Sequence, residues 1–178
     1  EQLERLTAEI HALRDPPLIV AVDHEGGRVQ RFRPEFTRLP PMRFIGHQYD
    51  MDAKRGIELA RDCGWLLASE LRAAGVDLSF APVVDLDYEM SEVIGDRAFH
   101  RDPQAVAAMA NACMMGMREA GMAAVAKHFP GHGAVVADSH VSLPVDRREL
   151  ADLEAELQPY RRLIANGLPA VMVAGIVF

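Results

Sequence analysis

The sequence predicts an α/β fold built on a parallel sheet, and three observations support this class. Apolar strand patterns alternate with helix patterns along the chain, as they do in successive right-handed βαβ units. Helix patterns pass into the next strand through a single glycine, at Gly75, Gly121 and Gly167. The segments that follow the first three strands are long, at 24–50, 85–102 and 129–146. Parallel α/β folds bind ligands at the carboxyl ends of their strands, so we expect the functional site among these long segments.

The first half of the chain contains two predicted helices and two predicted strands. The first helix covers Glu1–Arg14, where aliphatic residues recur at the i, i+3, i+7 spacing of one buried face. Asp15-Pro16-Pro17 ends it, because proline lacks the backbone donor and disfavours helix in the residue before it. The apolar run Leu18–Val22 predicts a strand covered on both faces. A second helix is predicted over Met51–Ala74, and a second strand over Val76–Val84 follows at once.

The third helix is predicted from signals at both of its ends. Asp102 is a suitable N-cap, and Pro103 suits the first turn because its nitrogen needs no partner there. Gly121 suits the left-handed residue just past the helix end. Met122–His128 follows as the third predicted strand.

A fourth helical segment and a fourth strand complete the pattern. Asp146 with Glu149 three residues later predicts a capping box at the helix start. We expect Pro159 to break this segment and Asn166-Gly167 to close it. Ala170–Phe178 is predicted as the fourth strand.

The composition predicts a soluble globular domain. Of the 178 residues, 49% are hydrophobic and 25% are charged, which is the usual balance of a folded domain. The net charge of −7 argues against a nucleic-acid partner, since such a ligand usually requires a basic face. No apolar stretch approaches the roughly 20 residues that span a bilayer, so no membrane association is expected. Cys63 and Cys113 fall in helical patterns, which predicts buried free thiols in a reducing compartment.

A polar cluster follows the first predicted strand. Asp23 is the first polar residue after the strand, where its carboxylate can accept hydrogen bonds from ligand hydroxyls. Gly26-Gly27 allows a tight turn, and Arg31 is then placed to donate to the same ligand. The alternative is a turn with a solvated arginine–carboxylate pair, which contributes little energy.

The second cluster follows the second predicted strand. Arg97 is able to donate in fork geometry to a ligand oxygen, or to hold the neighbouring Asp96 and pin the loop. Asp85 and Asp87 also leave this strand, and we favour a loop-anchoring role for both.

The third cluster, which follows the third predicted strand, contains the largest number of candidate catalytic and binding side chains. Lys127 and His128 lie at a strand end, where their burial is costly without a partner, so we expect them to face a ligand or to form a satisfied core pair. Asp138 and His140 are two residues apart, close enough for the carboxylate to orient the imidazole for general acid/base catalysis. An alternative metal site draws its ligands from this segment, and its candidate ligands are His128, His132, Asp138 and His140.

Together these motifs resemble the family 3 glycoside hydrolases, in particular their bacterial β-N-acetylglucosaminidases (β-hexosaminidases) of peptidoglycan recycling. The motifs that carry the resemblance are Asp23–Arg31, Ile94–Arg97, Lys127–Gly133 and Asp138–His140. The resemblance implies a (β/α)₈ barrel, a cytoplasmic location and release of terminal, non-reducing β-linked N-acetylglucosamine from anhydro-muropeptides. It also implies that no cofactor or metal is needed.

The resemblance assigns a role to each site residue. Asp23 grips sugar hydroxyls, and His140, oriented by Asp138, is the catalytic acid/base. Four further residues complete the polar lining around the sugar, namely Arg31, Arg97, Lys127 and His128.

Two departures from the family pattern stand out. The nucleophilic aspartate of the family lies on a later strand, beyond Phe178, and Gly175 follows Ala174 where the family usually carries histidine. A complete barrel of this type takes about 250 residues and eight strands, whereas four strands are predicted here.

We therefore expect residues 1–178 to form one partial barrel domain that is incomplete at both ends and inactive alone. Its open sheet edges are then available for self-association. The alternative from a different class is a catalytically silent sugar-binding or assembly half-barrel.

Overall fold

A computed structural model describes residues 1–136 and 144–177 of the chain. The helices and strands, in chain order, are α1 (Gln2–His11), β1 (Ala21–Val22), β2 (His24–Gly26), β3 (Val29–Gln30), α2 (Met42–Met51), α3 (Ala53–Ala73), β4 (Leu78–Ser79), α4 (Pro103–Glu119), β5 (Val125–Phe129), α5 (Glu154–Ala165) and β6 (Ala170–Val173). Short 3₁₀ turns lie at Gly95–Arg97 and Leu150–Leu153.

Four chain segments run parallel and lie side by side in chain order. β1 pairs with β4, and β5 pairs with β6, in both cases parallel. Parallel bridges from Leu78 to Ala123 and from Val83 to Lys127 join the two pairs. The order of strands and intervening helices is that of half a (β/α)₈ barrel, so the predicted fold class is confirmed. The hairpin of β2 and β3 is an addition at the carboxyl end of the first parallel strand.

Two edges of this parallel layer are open within the described part of the chain. There, β1 pairs only with β4, and β6 pairs only with β5. Apolar side chains near both edges face solvent, with Ile19 75% and Val173 71% exposed. Edges of this kind present unpaired backbone groups as well as apolar surface.

The core lies between the strands and helices α3 and α4. Leu67 and Leu71 of α3 and Met109 and Met117 of α4 are buried in one continuous cluster. The two helices approach closely because glycine lies at their crossing. A Cβ atom on Gly116 would stand 2.0 Å from the carbonyl oxygen of Arg61, a distance that real contacts do not reach.

The three predicted glycine joints between a helix and a strand are confirmed. Gly75, Gly121 and Gly167 have φ angles of +78°, +79° and +87°, the left-handed region that favours glycine. Gly167 has open space around its Cβ position, so its backbone angle alone accounts for the residue.

The long segment after the first strand contains a helix that the sequence pattern missed. Residues 24–50 were expected to be a loop, yet α2 occupies Met42–Met51. Its N-cap is Pro41, which provides no side-chain cap, so the usual start signal is absent. Asp52 then starts α3 by accepting hydrogen bonds from the backbone N–H groups of Lys54 and Arg55.

Two expectations for the fourth helical segment are wrong. Pro159 does not break it, because α5 runs through this residue. Pro159 is buried, and the neighbouring Tyr160 packs edge-on against Phe129 at 5.1 Å, so packing outweighs the backbone penalty. The capping box is formed by Glu149 and Asp152, while the carboxylate of Asp146 pairs with Arg148.

The two cysteines are buried free thiols, as the helical pattern predicted. Burial raises the pKa of Cys63 to about 11 and that of Cys113 to about 12, so neither forms a reactive thiolate near neutral pH. Among the helices of the described residues, none has both the length and the apolar character to cross a bilayer.

The glycine at the helix crossing yields a first prediction. Gly116→Ala should lower the free energy of unfolding by about 1–3 kcal/mol, because the added methyl group forces α3 and α4 apart. Urea denaturation followed by circular dichroism measures the change. The control is Glu58→Ala on the exposed face of α3, which should stay within about 0.5 kcal/mol of the wild type. Similar losses in both variants would contradict the close-packing explanation.

A second prediction concerns His24, which is buried and lies 5.9 Å and 5.7 Å from the rings of Phe32 and Phe36. Burial lowers its pKa below the ordinary value. As the pH falls through about 6.5, the unfolded chain takes up a proton before the folded chain does, so stability falls. In His24→Phe, the loss of melting temperature between pH 7.5 and 5.5 should be smaller than in the wild type. Substitution of the exposed His47 by glutamine is the control, and an equal change in that variant would remove His24 as the cause.

Candidate functional site

A cavity of about 340 Å³ opens at the carboxyl ends of the parallel strands. All five side chains predicted to bind a ligand line it, namely Asp23, Arg31, Arg97, Lys127 and His128. Apolar residues form much of the remaining wall, among them Val29, Phe80, Val93 and Met172. The cavity is therefore polar where the first three strands end and apolar beside them.

Lys127 is the buried centre of the polar lining. Its side chain is 1% exposed, yet its Nζ lies 2.8 Å from Asp23 Oδ1 and 2.6 Å from Glu25 Oε1. Two carboxylates thus compensate an ammonium group whose burial would otherwise be very unfavourable. β5 positions Lys127, and the segment that follows β1 supplies both partners.

Glu25 is a central residue whose role was not predicted from the sequence. Its side chain is 3% exposed, and both of its oxygens accept hydrogen bonds from Arg97, at 2.8 and 2.9 Å. In an extended backbone, residues two apart lie on the same face, so Glu25 shares a face with Asp23. This spacing was the sequence feature from which the position of Glu25 could have been predicted. Arg97 does not hold Asp96, because Asp96 instead accepts a hydrogen bond from Arg28 at 3.0 Å.

The charges of this cluster stabilise one another. Burial alone would raise the pKa of Asp23, but the hydrogen bond and charge of Lys127, with the charges of Arg31 and Arg97, hold it below the usual value. Burial alone would lower the pKa of Arg97, but the hydrogen bonds and charge of Glu25, with weaker effects from other carboxylates, raise it. Both groups are therefore fully ionised near neutral pH.

Asp85 anchors the backbone of the segment that follows β5, which agrees with the anchoring role predicted for it. Its Oδ1 accepts the backbone N–H of His132 at 2.8 Å and that of His128 at 3.3 Å. Its Oδ2 lies 2.7 Å from Nδ1 of His128. Asp87 also anchors its own loop, because its Oδ1 accepts the backbone N–H of Glu89 at 3.0 Å.

His132 is a further lining residue, which the sequence predicted only as a candidate metal ligand. It is 2% exposed, and its ring centre lies 5.9 Å from that of His128 in an edge-on arrangement. Within the described residues, neither ring nitrogen of His132 has a hydrogen-bond partner. The described ranges also contain no group of three or more metal-ligating side chains arranged to hold an ion.

The predicted acid/base residues Asp138 and His140 lie outside the described residues, so their roles stay predictions. Gly175 does line the cavity, next to Ala174, at the end of the fourth strand. At that position the wall of the cavity contains backbone only.

Comparisons with known proteins identify the type of domain. Residues 1–178 match the family described as glycosyl hydrolase family 3 N terminal domain. The chain is similar to proteins named beta-hexosaminidase from Nitrosospira multiformis and Thiobacillus denitrificans, at 60% and 61% identity over 178 residues. Among solved structures, it is similar to NagZ from Neisseria gonorrhoeae in complex with N-trifluoroacetyl-D-glucosamine, at 54% identity and a TM-score of 0.96. A family 3 beta-N-acetylglucosaminidase from Paenibacillus sp. str. FPU-7 is also similar, at 36% identity and a TM-score of 0.92.

These matches cover nearly all of this chain but a much smaller share of each similar protein. They cover 99% of this chain, but 51% and 50% of the two beta-hexosaminidases. They cover 52% of the Neisseria protein and 34% of the Paenibacillus protein. The chain thus spans about half the length of the curated relatives it matches.

The buried ion network yields a third prediction. Glu25→Gln should lower the free energy of unfolding by about 3–5 kcal/mol, because it leaves buried cations without their shared counter-charge. The control is Asp96→Asn, which removes the half-exposed pair with Arg28 and should cost at most about 1 kcal/mol. Urea denaturation of the two variants measures the difference. Equal costs would show that the Glu25 network does not stabilise the fold.

Proposed function

The chain belongs to glycosyl hydrolase family 3, and we propose that the protein is a glycosidase that removes terminal, non-reducing β-linked N-acetylglucosamine. The observation that carries this proposal is the convergence of three strand ends on one cavity lined by Asp23, Lys127 and His128. A volume of about 340 Å³ is near the lower end of ligand pockets, which suits a single sugar unit rather than a long chain.

The polar lining suits a neutral sugar rich in hydroxyl groups. Lys127 holds only one oxygen of Asp23, and the Asp23 side chain is 42% exposed, so this carboxylate is available to accept from sugar hydroxyls. Arg31 lines the same cavity as a donor, and the imidazole of His128 adds a further hydrogen-bonding group. The apolar wall offers a surface for the acetyl methyl group, and the similar Neisseria structure contains an N-acylated glucosamine.

For the chemical step we propose His140 as the acid/base, oriented by Asp138. The imidazolium first protonates the glycosidic oxygen as the bond to the sugar breaks, and the neutral imidazole then accepts a proton from water in the second step. This assignment rests on the family resemblance of the Asp138-Ser139-His140 motif. A protonated imidazole here replaces the carboxylic acid that most retaining glycosidases use.

A retaining mechanism also needs a nucleophilic carboxylate about 5 Å from the acid. Among the described residues, Asp23 is the one carboxylate that lines the cavity, and its partnership with Lys127 suits it to binding rather than attack. The family resemblance implies a nucleophilic aspartate on a later strand, and we propose that it lies outside residues 1–178.

The finer proposal is that the physiological substrate is an anhydro-muropeptide that carries N-acetylglucosamine, hydrolysed in the cytoplasm during peptidoglycan recycling, without a cofactor or metal. It is supported by the family resemblance of the four motifs. A second candidate is a catalytically silent sugar-binding or assembly half-barrel, and it is favoured by the pairing of Asp23 with Lys127.

A fourth prediction separates binding from turnover in the full-length protein. His140→Ala should lower kcat on an aryl N-acetyl-β-glucosaminide by about 10²–10⁴-fold, because the general acid is lost. It should leave binding of N-trifluoroacetyl-D-glucosamine, followed by ¹⁹F NMR, almost unchanged. Asp23→Asn should instead weaken that binding by about 10–100-fold, because hydrogen bonds to a charged acceptor are lost.

The possible outcomes distinguish the candidates. Binding of the fluorinated sugar without hydrolysis in the wild type would favour the silent sugar-binding module. If the wild type neither binds the fluorinated sugar nor hydrolyses the glycoside, both the glycosidase and the sugar-binding candidates are rejected. Comparable hydrolysis of the plain aryl β-glucoside would overturn the preference for the N-acetylated sugar, and equal kcat in wild type and His140→Ala would remove His140 from the mechanism.

A further inference from the structure

Asp85 is a buried carboxylate that lies next to the cavity and does not line it. Its two oxygens have separate tasks. Oδ1 accepts two backbone N–H groups, from His128 and His132, and among the described residues Oδ2 contacts the imidazole of His128 alone, at 2.7 Å. One oxygen thus anchors the turn after β5, while the other is committed to the ring of a cavity-lining residue.

This contact determines the tautomer of His128. An ionised carboxylate has no proton to offer, so the hydrogen bond at 2.7 Å requires that Nδ1 of His128 carries the proton. Nε2 is then the ring nitrogen left for a ligand in the cavity. The same contact restrains the ring plane, because the hydrogen bond directs Nδ1 toward a carboxylate that is itself held by backbone groups.

We propose that Asp85 is a positioning residue that acts through His128, fixing its Nδ1–H tautomer and its orientation toward the bound sugar. Its effect on catalysis rests on the proposed function, whereas its effect on the tautomer does not. Asp85 follows the second parallel strand, and His128 lies at the end of the third. Asp85 does not line the cavity, yet it determines which nitrogen of the cavity-lining His128 donates and which accepts.

The two oxygens allow the anchoring and positioning roles to be separated. In Asp85→Asn, the amide oxygen still accepts both backbone N–H groups, and these two donors hold the side chain with its oxygen on their side. The amide nitrogen then faces Nδ1 of His128. Since two donors cannot share that contact, the proton of a neutral His128 should move to Nε2. Asp85→Ala loses both roles and should be less stable than Asp85→Asn.

Asp87 provides a matched control on the same loop. Its Oδ1 accepts the backbone N–H of Glu89 at 3.0 Å, and its other oxygen lies 3.8 Å from Arg43. It makes no hydrogen bond to His128 within the described residues. Asp87→Asn removes one negative charge from the same segment and keeps the local turn.

The experiment uses the full-length protein, with ¹H–¹⁵N spectra of the histidine rings at a pH where His128 is neutral, and a His128→Gln sample to assign its signals. We expect Nδ1–H in the wild type and in Asp87→Asn, and Nε2–H in Asp85→Asn. The value of kcat/KM on the aryl N-acetyl-β-glucosaminide should fall about 10–100-fold in Asp85→Asn, because the charged hydrogen bond that orients the His128 ring is lost, and stay at the wild-type level in Asp87→Asn. The melting temperature of Asp85→Asn should remain close to that of the wild type.

Retention of Nδ1–H in Asp85→Asn, or an unchanged kcat/KM in an active enzyme, would overturn the positioning role. If Asp85→Asn lowers kcat/KM together with a large loss of melting temperature and keeps the wild-type tautomer, then Asp85 only anchors the backbone. If the wild type hydrolyses no glycoside, the proposed function fails. The tautomer exchange, together with binding of N-trifluoroacetyl-D-glucosamine to each variant, then decides whether Asp85 positions His128.

Discussion

A buried ammonium group determines how the site of this protein is built. The Lys127 side chain is almost fully buried, and an ion in that position requires counter-charges at short range. Asp23 and Glu25 supply them from the segment after the first strand, and Glu25 also holds Arg97 from the segment after the second. One cluster of charges thus joins the ends of three neighbouring parallel strands, and the shape of the cavity depends on it.

The acidic residues around the cavity divide according to their burial. Glu25 and Asp85 are buried, and protein donors occupy their oxygens, so these two residues arrange other side chains. Asp23 is partly exposed and keeps an oxygen for a ligand. A carboxylate that is already neutralised by protein groups holds its neighbours in place, whereas one that faces the cavity stays accessible to a ligand. In a chain with a net charge of −7, the cavity is thus lined by three cations, Arg31, Arg97 and Lys127, and one carboxylate, Asp23.

Much of this architecture was predictable because it depends on short stretches of sequence. The left-handed glycines Gly75, Gly121 and Gly167, and the Asp102 cap of α4, are local features, and each was found where the pattern placed it. The helix α2 was missed because its N-cap, Pro41, offers no side-chain hydrogen bond. The continuation of α5 through Pro159 was missed because the packing of the adjacent Tyr160 against Phe129 comes from a distant part of the chain.

The periodicity of the sequence and the residues that end each strand determined the α/β class and the end of the sheet at which the cavity lies, and the family resemblance of the motifs added five residues that line it. The tertiary structure decided which charge pairs with which. Arg97 binds Glu25, 72 residues away, rather than the adjacent Asp96, and Asp85 orients His128 from another strand. Such choices depend on burial and on distances between strands, since a carboxylate withdrawn from water takes the donor that the fold brings within reach.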